Sequence, residues 1–299
     1  MKKADFSLAK VHFIAGKGGV GKSLIYSALA RFFSELGHKT LKVELCEDES
    51  LEGMRIPPIE KIGTNLYYLR IFPDHATYQY LRLKIPQKKL LDSLLGSKLF
   101  RALCGAMPGL SDLTRLGKIW FHADESLFQG QEIFDKIVVD LPSSGFIRRF
   151  LSVADTVSKA VRIGPLAKEA EHIHRYFIDA NNALMHVVAV PEELIVKETQ
   201  ELILAMKKSH QVHLGWLFIN RYPPYNHHEL DSLKAKLEKN SGLYAYLQFM
   251  SSLTRQKEIE IKKLEELSLG TIAVPEFAGE VRESDVNQEL VKAWEKLCD

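Results

Sequence analysis

The loop at residues 16–23 reads GKGGVGKS. It follows the apolar run VHFIA at 11–15 and precedes a stretch at 24–36 whose composition suits a helix. Glycines at four of its positions let the backbone curl so that successive N–H groups point inward, and the helix N-terminus beyond them favours negative charge. This order of strand, loop and helix predicts a phosphate-binding loop. We expect the nucleotide phosphates to contact Gly16, Lys17, Gly18, Gly19, Val20, Gly21, Lys22 and Ser23.

The last two residues of the loop predict its chemistry. Lys22 is placed to reach the β and γ phosphates of ATP, and the Ser23 hydroxyl is placed to bind the Mg²⁺ ion that bridges them. Asp140 ends a second apolar run, at 136–141, and the carboxyl ends of parallel strands face the ligand crevice. Asp140 is therefore a second candidate Mg²⁺ ligand, although a strand-end aspartate can instead cap the following helix. We predict ATP or ADP with Mg²⁺ as cofactors, and Lys22 and Asp140 as catalytic residues.

Short apolar runs alternate with longer helical patterns along the 299 residues. Candidate strands lie at 11–15, 40–45, 66–71, 136–141, 184–190, 214–219 and 270–274, and long helical patterns at 192–208, 227–239 and 286–297. The candidate strands are rich in β-branched residues and leucine without strict alternation, which is typical of strands covered on both faces. We find no internal repeat. The sequence therefore predicts an α/β fold, a P-loop NTPase with a mostly parallel, doubly wound sheet, as a single domain over 1–299.

The segment at 73–134 differs from the rest of the chain because its pattern is helical and rich in leucine. Leucines and other apolar residues in its central part recur at three- and four-residue spacings, which places most of them on one helix face. Such a face usually packs into the protein's own core, and binding of a hydrophobic partner is the alternative. We predict a helical subdomain inserted at 73–134.

Charge and cysteine content exclude several kinds of protein. The 40 basic and 38 acidic residues leave a net charge of +2, so no nucleic-acid partner is expected. The cysteines are Cys46, Cys104 and Cys298, and no CxxC pair is present to hold zinc or an iron–sulfur cluster. Three scattered cysteines indicate a reducing compartment. The first ten residues lack the apolar core of a signal peptide, and no apolar run approaches roughly 20 residues, so we expect a soluble, cytoplasmic protein.

Several motifs resemble those of the arsenite-pump ATPase family, which includes the Get/TRC ATPases that deliver tail-anchored membrane proteins. Lys17, placed directly after Gly16, resembles the signature lysine of a deviant Walker A loop. The other similar segments follow in the family's order: CGAMPGLSDL at 104–113, DLPSSGFIRRFL at 140–151, PEELIVKET at 191–199, FIN at 218–220 and VPEFAGEVR at 274–282. The resemblance thus spans most of the chain.

The resemblance implies roles for individual residues and for partners. Lys17 would be catalytic and would cross a homodimer interface to the partner's phosphates. Glu198 would contact nucleotide, Asn220 would read the adenine, and the loop with Pro275 and Phe277 would enclose it. The family also implies that the helical subdomain binds a hydrophobic protein client or a segment of a membrane protein.

The chain departs from the family pattern at switch I, where Cys46 occupies the position of the aspartate that orients the attacking water. A thiol cannot position water as a carboxylate does, so we expect slow hydrolysis unless a nearby acidic residue substitutes. The candidates are Glu44, Glu47, Asp48 and Glu49. Phe146 replaces a histidine of switch II, Glu276 and Glu283 replace family residues of the adenine loop, and the zinc CxxC after Asn220 is missing.

Other functions remain as alternatives to this one. Arsenite needs about three converging thiolates, which the separated cysteines do not offer, so no metalloid site is expected. A partition-type ATPase would need a clustered basic surface, and only the pairs Arg148–Arg149 and Lys262–Lys263 are candidates, which more often form a solvated face. The main alternative is a nucleotide-binding regulatory or scaffold protein with weak or no hydrolysis.

Overall fold

The computed structural model describes residues 8–46, 57–85, 87, 89–90, 93, 97, 109–124, 132–142, 144–160, 165–209, 212–267, 269–276 and 283–298. The strands in this part of the chain are β1 (Val11–Gly16), β2 (Thr40–Leu45), β3 (Glu60–Lys61), β4 (Leu66–Ile71), β5 (Lys136–Asp140), β6 (Ala183–Ala189), β7 (His213–Tyr222) and β8 (Thr271–Pro275). The helices are α1 (Lys22–Glu35), α2 (Pro73–Lys84), α3 (Leu110–Ala123), α4 (Ser144–Ala160), α5 (Pro165–Phe177), α6 (Glu193–Ser209), α7 (His227–Lys234), α8 (Gly242–Glu265) and α9 (Glu283–Cys298).

The strands form one sheet in the order β3-β4-β2-β5-β1-β6-β7-β8. Every neighbouring pair is parallel except β3 with β4. The chain builds the sheet on one side of β1 first and then on the other, so the order of strands turns at β1. Right-handed crossovers on the two sides of such a turning point place their helices on opposite faces. This architecture confirms the predicted α/β, doubly wound P-loop NTPase fold.

The central strands carry the core. Every residue of β1 and of β6 is buried, as expected for parallel strands covered on both faces. Helix α1 contributes Phe32 and Phe33 to this core. Helix α9 packs against α1, and its residues Val286 and Leu290 are fully buried. The crevice at the carboxyl end of β1 therefore lies next to the most deeply buried part of the fold.

Helices α5 and α8 lie outside the predicted helical patterns, and the other differences from the predicted elements are mainly at their ends. The helix predicted at 227–239 ends at Lys234, and α8 begins after a turn in which the Ser241 hydroxyl accepts a hydrogen bond from the Tyr244 N–H at 3.2 Å. Local polar caps of this kind end one helix and start the next. The two-residue strand β3 was not predicted because it is too short to show a period.

Two of the helices fall within 73–134. Helix α2 begins at Pro73, where the missing N–H costs no helical hydrogen bond. Helix α3 follows Gly109, whose backbone has φ +78° and where a Cβ atom would lie 2.6 Å from the Val153 side chain of α4. Most of the leucine-rich stretch at 91–103 lies outside the described residues, so the inserted subdomain stays a prediction. Among the helices described, none is long and apolar enough to cross a membrane.

Candidate nucleotide-binding site

The loop after β1 has a backbone that only glycine can supply at two positions. At Gly16 φ is +153°, and a Cβ atom would lie 2.5 Å from the Val188 carbonyl oxygen of the neighbouring strand. At Gly21 φ is +92°, and a Cβ atom would lie 2.3 Å from the Asn220 amide nitrogen. Both conformations are strained for residues with side chains, and both clashes are with atoms of other elements. These glycines fix the loop tightly against β6 and β7.

The middle of the loop is open on its outer side. A Cβ atom at Gly18 or Gly19 would meet no described atom within 4 Å, whereas Val20 is buried and anchors the loop to the core. The loop therefore combines a fixed base with an uncovered backbone. Exposed N–H groups before a helix N-terminus are the arrangement that binds phosphate.

Lys22 folds back over this loop. Its Nζ donates to the carbonyl oxygens of Gly16 and Pro142, both at 3.1 Å. Gly16 ends β1 and Pro142 follows β5, so the ammonium group lies between the carboxyl ends of the two central strands. A phosphate group bound in the loop would lie beside this cation.

Asp140 and Ser23 lie together at the same edge of the sheet. The Ser23 Oγ and the Asp140 Oδ2 are 3.5 Å apart. Burial raises the pKa of the Asp140 carboxyl, Lys22 opposes this shift, and Glu44 adds to it. The Asp140 Oδ1 is buried and has no hydrogen-bond partner among the described residues. A buried carboxylate oxygen without a donor costs free energy, and a cation is the partner that would relieve it.

This pair of oxygen ligands fits Mg²⁺. Mg²⁺ in phosphate sites uses one or two protein oxygens and takes its remaining ligands from phosphates and water. In the described part of the chain, no cluster of three or more His, Cys, Asp or Glu residues could hold a metal ion. A carboxylate and a hydroxyl beside a phosphate loop need no such cluster.

Lys17 forms an ion pair within its own chain. Its Nζ lies 2.6 Å from the Glu198 Oε1 on α6, and both side chains are about one third exposed. Ion pairs with this exposure contribute at most about 1 kcal/mol, so Lys17 can exchange Glu198 for another anion at low cost. The structure therefore brings two of the predicted site residues into contact with each other.

Asn220 holds the loop in this structure. Its amide Nδ2 donates to the Val20 carbonyl at 2.9 Å, and its Oδ1 accepts from the Arg221 N–H at 2.9 Å. Arg221 has φ +54°, and the pairing of β7 with β8 shifts at this point. The irregularity turns the end of β7 so that Asn220 faces the loop. The predicted contact of Asn220 with adenine stays a prediction.

The end of β8 lies beside this irregularity. Pro275 pairs in register with Tyr222, and the Glu276 N–H donates to the Tyr222 carbonyl at 2.7 Å. Phe277, the other residue predicted at the adenine, lies outside the described residues, as does most of the loop at 274–282. Of the residues predicted to contact adenine, the structure describes Asn220 and Pro275, and their contact with adenine stays a prediction.

The switch I position lies at the end of β2. Glu44 is in register with Asp140 on the neighbouring strand, and its carboxylate accepts a hydrogen bond from the Tyr68 hydroxyl. Glu44 is the member of the four candidate acidic residues that the structure describes, since Glu47, Asp48 and Glu49 lie outside it. The backbone of Cys46 accepts a hydrogen bond from the Arg115 guanidinium at 3.3 Å.

Sequence reasoning missed a charged network behind the site. Asp112 on α3 is buried and bonds Arg115 on the same helix, while the Arg149 Nε of α4 donates to its other oxygen at 3.2 Å. Arg115 also reaches Cys46, so the network joins the end of β2 to α3 and α4. The spacing of Asp112 and Arg115 on a helix predicts their pairing. The contact of Arg149 has no signal in the sequence, where two adjacent arginines indicate only a solvated face.

Fold and site together define a P-loop nucleotide-binding protein with a carboxylate and a hydroxyl beside the loop. Comparison with known proteins identifies its family. The family model of the anion-transporting ATPases matches residues 9–169, and the chain belongs to this family. This confirms the resemblance to the arsenite-pump and Get-type ATPases.

Individual relatives extend the similarity along the chain. The ATPase BagA of Mycobacterium tuberculosis is 30% identical over 243 residues, which cover 76% of this chain and 69% of that protein. The ATPase GET3C of Arabidopsis thaliana is 21% identical over 325 residues, covering 91% of this chain and 82% of that protein. The ATPase GET3B of the same plant is 23% identical over 269 residues, covering 72% of this chain and 64% of that protein. These relatives and the family model support an ATPase.

Proposed function

We propose that this protein binds ATP with Mg²⁺, hydrolyses it, and uses the nucleotide state as a conformational switch. The observation that carries the proposal is the buried Asp140 Oδ1, which has no partner among the described residues and lies beside Ser23 at the mouth of the phosphate loop. Membership in an ATPase family supports the same conclusion. ATP would enter with its phosphates in the loop and its adenine toward Asn220 and Pro275.

The residues of the loop would stabilise charge during hydrolysis. Lys22 would exchange the carbonyls of Gly16 and Pro142 for phosphate oxygens, and the N–H groups of the loop would face the same charge. Ser23 and Asp140 would hold Mg²⁺, which neutralises developing negative charge on the phosphates when bound. Each group is positioned before the reaction, and preorganised charge of this kind usually accounts for most of the rate enhancement.

Glu44 is our candidate for positioning the attacking water. It lies in register with Asp140, where the family has its switch I carboxylate two residues later. Its carboxylate accepts a hydrogen bond from Tyr68, and the thiol of Cys46 cannot serve in its place. Turnover would be slow, because Glu44 acts from an earlier position on the strand.

We further propose that two chains form a dimer and that residues 1–299 make one ATPase domain with a helical subdomain inserted at 73–134. Lys17 would leave Glu198 and contact the phosphates of the partner chain. The GET3-named relatives support this proposal at the level of the family. The helical subdomain would bind a hydrophobic protein segment, and the protein would work in the cytoplasm.

The alternative is a nucleotide-bound scaffold without turnover, and Cys46 is the observation that favours it. An Asp140→Asn variant separates the two. Dependence of turnover on Mg²⁺ concentration is measured for the wild type and for this variant. We expect the variant to need at least about tenfold more Mg²⁺, because it loses a charged ligand. Wild-type protein that binds ATP but releases no phosphate would favour the scaffold.

A further inference from the structure

A cavity lies apart from the phosphate loop, among helices α2, α3 and α5. Its volume is about 310 Å³, and its walls include the side chains of Leu83, Leu113, Trp120, Phe121 and Ile173. Ligand pockets begin at about this volume, and an apolar cavity of about half this size is enough for benzene. The cavity can therefore hold a small organic molecule.

One cation among these apolar walls lacks a partner in the described part of the chain. Lys118 lines the cavity, and it makes no ion pair or hydrogen bond with the residues that the structure describes. Burial lowers its pKa to about 8. Lys118 is half-buried, and an ammonium group held partly out of water without a counter-ion is costly, so proteins normally pair such charges.

The other lysine at the cavity is Lys84, whose charge is neutralised, although the Glu169 Oε2 is buried and has no hydrogen-bond partner among the described residues. Lys84 pairs with Glu169, and burial together with a hydrogen bond to Glu169 raises the pKa of Tyr80. His172 contacts the Trp120 ring edge to face, and the Trp120 N–H donates to Asp124 at 3.1 Å. His122, one helical turn after Lys118, bonds the Glu132 carbonyl at 2.8 Å. Lys118 therefore remains the cation that a ligand could pair with.

We propose that this cavity binds a compact organic acid, with the carboxylate on Lys118 and the apolar body against Trp120, Leu113 and Ile173. An apolar molecule alone would leave the lysine without a partner, and a cation would be repelled by it. A small anion such as phosphate would pair with Lys118 and leave the apolar walls unfilled. An amphipathic monocarboxylate satisfies both parts of the cavity. This site is independent of the ATPase proposal, since it shares no residue with the phosphate loop.

Octanoate and 1-octanol are suitable probes because they have the same chain length and differ in charge. Binding of each to the full-length protein is measured by titration calorimetry at pH 7. We expect octanoate to bind at least about tenfold more tightly than octanol, since a charge-assisted hydrogen bond is stronger than a neutral one. Raising the pH from 7 to 10 should weaken octanoate binding and leave octanol binding unchanged, because Lys118 loses its charge.

Lys118→Met keeps the length of the side chain and removes the charge. It should lower octanoate affinity at least about tenfold, leave octanol affinity unchanged or higher, and keep the thermal midpoint at or above that of the wild type. Lys208→Met, on the exposed surface of α6, is the matched control and should change neither affinity. Leu83→Trp changes a residue that is 55% exposed at the cavity wall, so the fold should tolerate it while both probes bind less well.

Three results would overturn the proposal. The first is equal binding of octanoate and octanol by the wild type. The second is octanoate binding that Lys118→Met leaves unchanged, and the third is no binding of either probe at millimolar concentration. If Lys118→Met still hydrolyses ATP, failure of the organic-acid proposal leaves the ATPase proposal intact.

Discussion

Gly21 and Gly37 have almost the same backbone φ, of +92° and +90°. They differ in their surroundings, since a Cβ atom at Gly21 would lie 2.3 Å from Asn220 and one at Gly37 would meet no described atom within 4 Å. Substitutions at these two glycines therefore separate the effect of backbone strain from the effect of losing the contact between the phosphate loop and Asn220.

We expect Gly37→Ala to cost about 1 kcal/mol of stability and to leave ATP binding unchanged. Gly21→Ala should cost about 1–3 kcal/mol and should also weaken ATP binding at least about tenfold, because Asn220 must move away from the loop. Urea unfolding gives the stability, and titration with a fluorescent ATP analogue gives the affinity. Equal affinities for the two variants would contradict the role of Asn220 in holding the loop.

Glu44 and Cys46 allow a second prediction at the scale of residues. Glu44→Gln should lower the turnover of ATP at least about tenfold, since the amide does not accept a proton from water. Cys46→Asp in the same chain should restore turnover, because it returns a carboxylate to the switch I position. Steady-state phosphate release measures both.

The control for Glu44 is Tyr68→Phe, which removes the hydrogen-bond donor and keeps the carboxylate. Its turnover should stay within about threefold of the wild type. If Glu44→Gln turns over ATP at the wild-type rate, another residue positions the water and our assignment is wrong.

At the scale of elements, Asp112 joins α3 to α4 through Arg149, and its partner Arg115 reaches the Cys46 carbonyl after β2. Asp112 and Arg115 are both buried, whereas the Arg149 side chain is 69% exposed. Removal of one partner from a buried ion pair leaves an uncompensated charge, while an exposed partner contributes little.

Asp112→Ala should therefore destabilise the protein by about 3–5 kcal/mol. Arg149→Ala removes the exposed member of the network and should cost at most about 1 kcal/mol. Urea unfolding of both variants measures the difference. Similar losses for the two would show that Arg149, and not the buried pair, holds the network together.

The same elements show what could be predicted from the sequence. All the described strands except β3 have apolar runs bounded by polar residues, and these seven were predicted close to their observed ends. Helix α8 was not predicted. The pattern predicted at 227–239 runs past the end of α7, because the position of the turn before α8 depends on the cap formed by Ser241. Periodicity identifies buried faces and says little about the turn between them.

The site was predictable to the extent that its residues are adjacent in the sequence. The loop from Gly16 to Ser23 is one segment, so its pattern predicts its chemistry. The contacts of Lys22 with Pro142 and of Arg149 with Asp112 join distant segments, and only the fold brings them together. Family resemblance, rather than pattern, pointed to Glu198 and Asn220.

At the scale of the whole molecule, two buried histidines join three neighbouring strands of the sheet, β1, β6 and β7. The His12 Nε2 bonds the Ala9 carbonyl and its Nδ1 bonds the His186 Nε2, both at 3.0 Å. The His186 Nδ1 accepts from the Trp216 N–H at 3.0 Å. A carbonyl only accepts, so His12 carries its proton on Nε2 and must accept from His186. Both rings are therefore satisfied in the neutral state.

Burial lowers the pKa of His186 to about 3 and that of His12 well below its usual value. In the unfolded chain both take up protons near pH 6.5, so the unfolded state binds more protons as the pH falls below that value. The free energy of unfolding should then fall by about 1.4 kcal/mol per pH unit for each histidine, and should be fully retained above pH about 7.

Urea unfolding between pH 7 and pH 5 tests this dependence. His186→Gln keeps a donor and an acceptor but cannot titrate, so its slope should be shallower than that of the wild type by about 1 kcal/mol per pH unit. Other groups titrate in both proteins and cancel in the comparison. Identical slopes would mean that His186 is not held neutral by the fold.

The central claim is that nucleotide state switches the whole molecule through the phosphate loop. Steady-state ATP hydrolysis with Mg²⁺, measured beside light scattering in ADP and in a non-hydrolysable ATP analogue, tests it most directly. We predict turnover and a dimer favoured by the ATP analogue, both abolished in Lys22→Ala. Wild-type protein that binds ATP tightly, releases no phosphate and keeps one mass in both nucleotides would contradict the account.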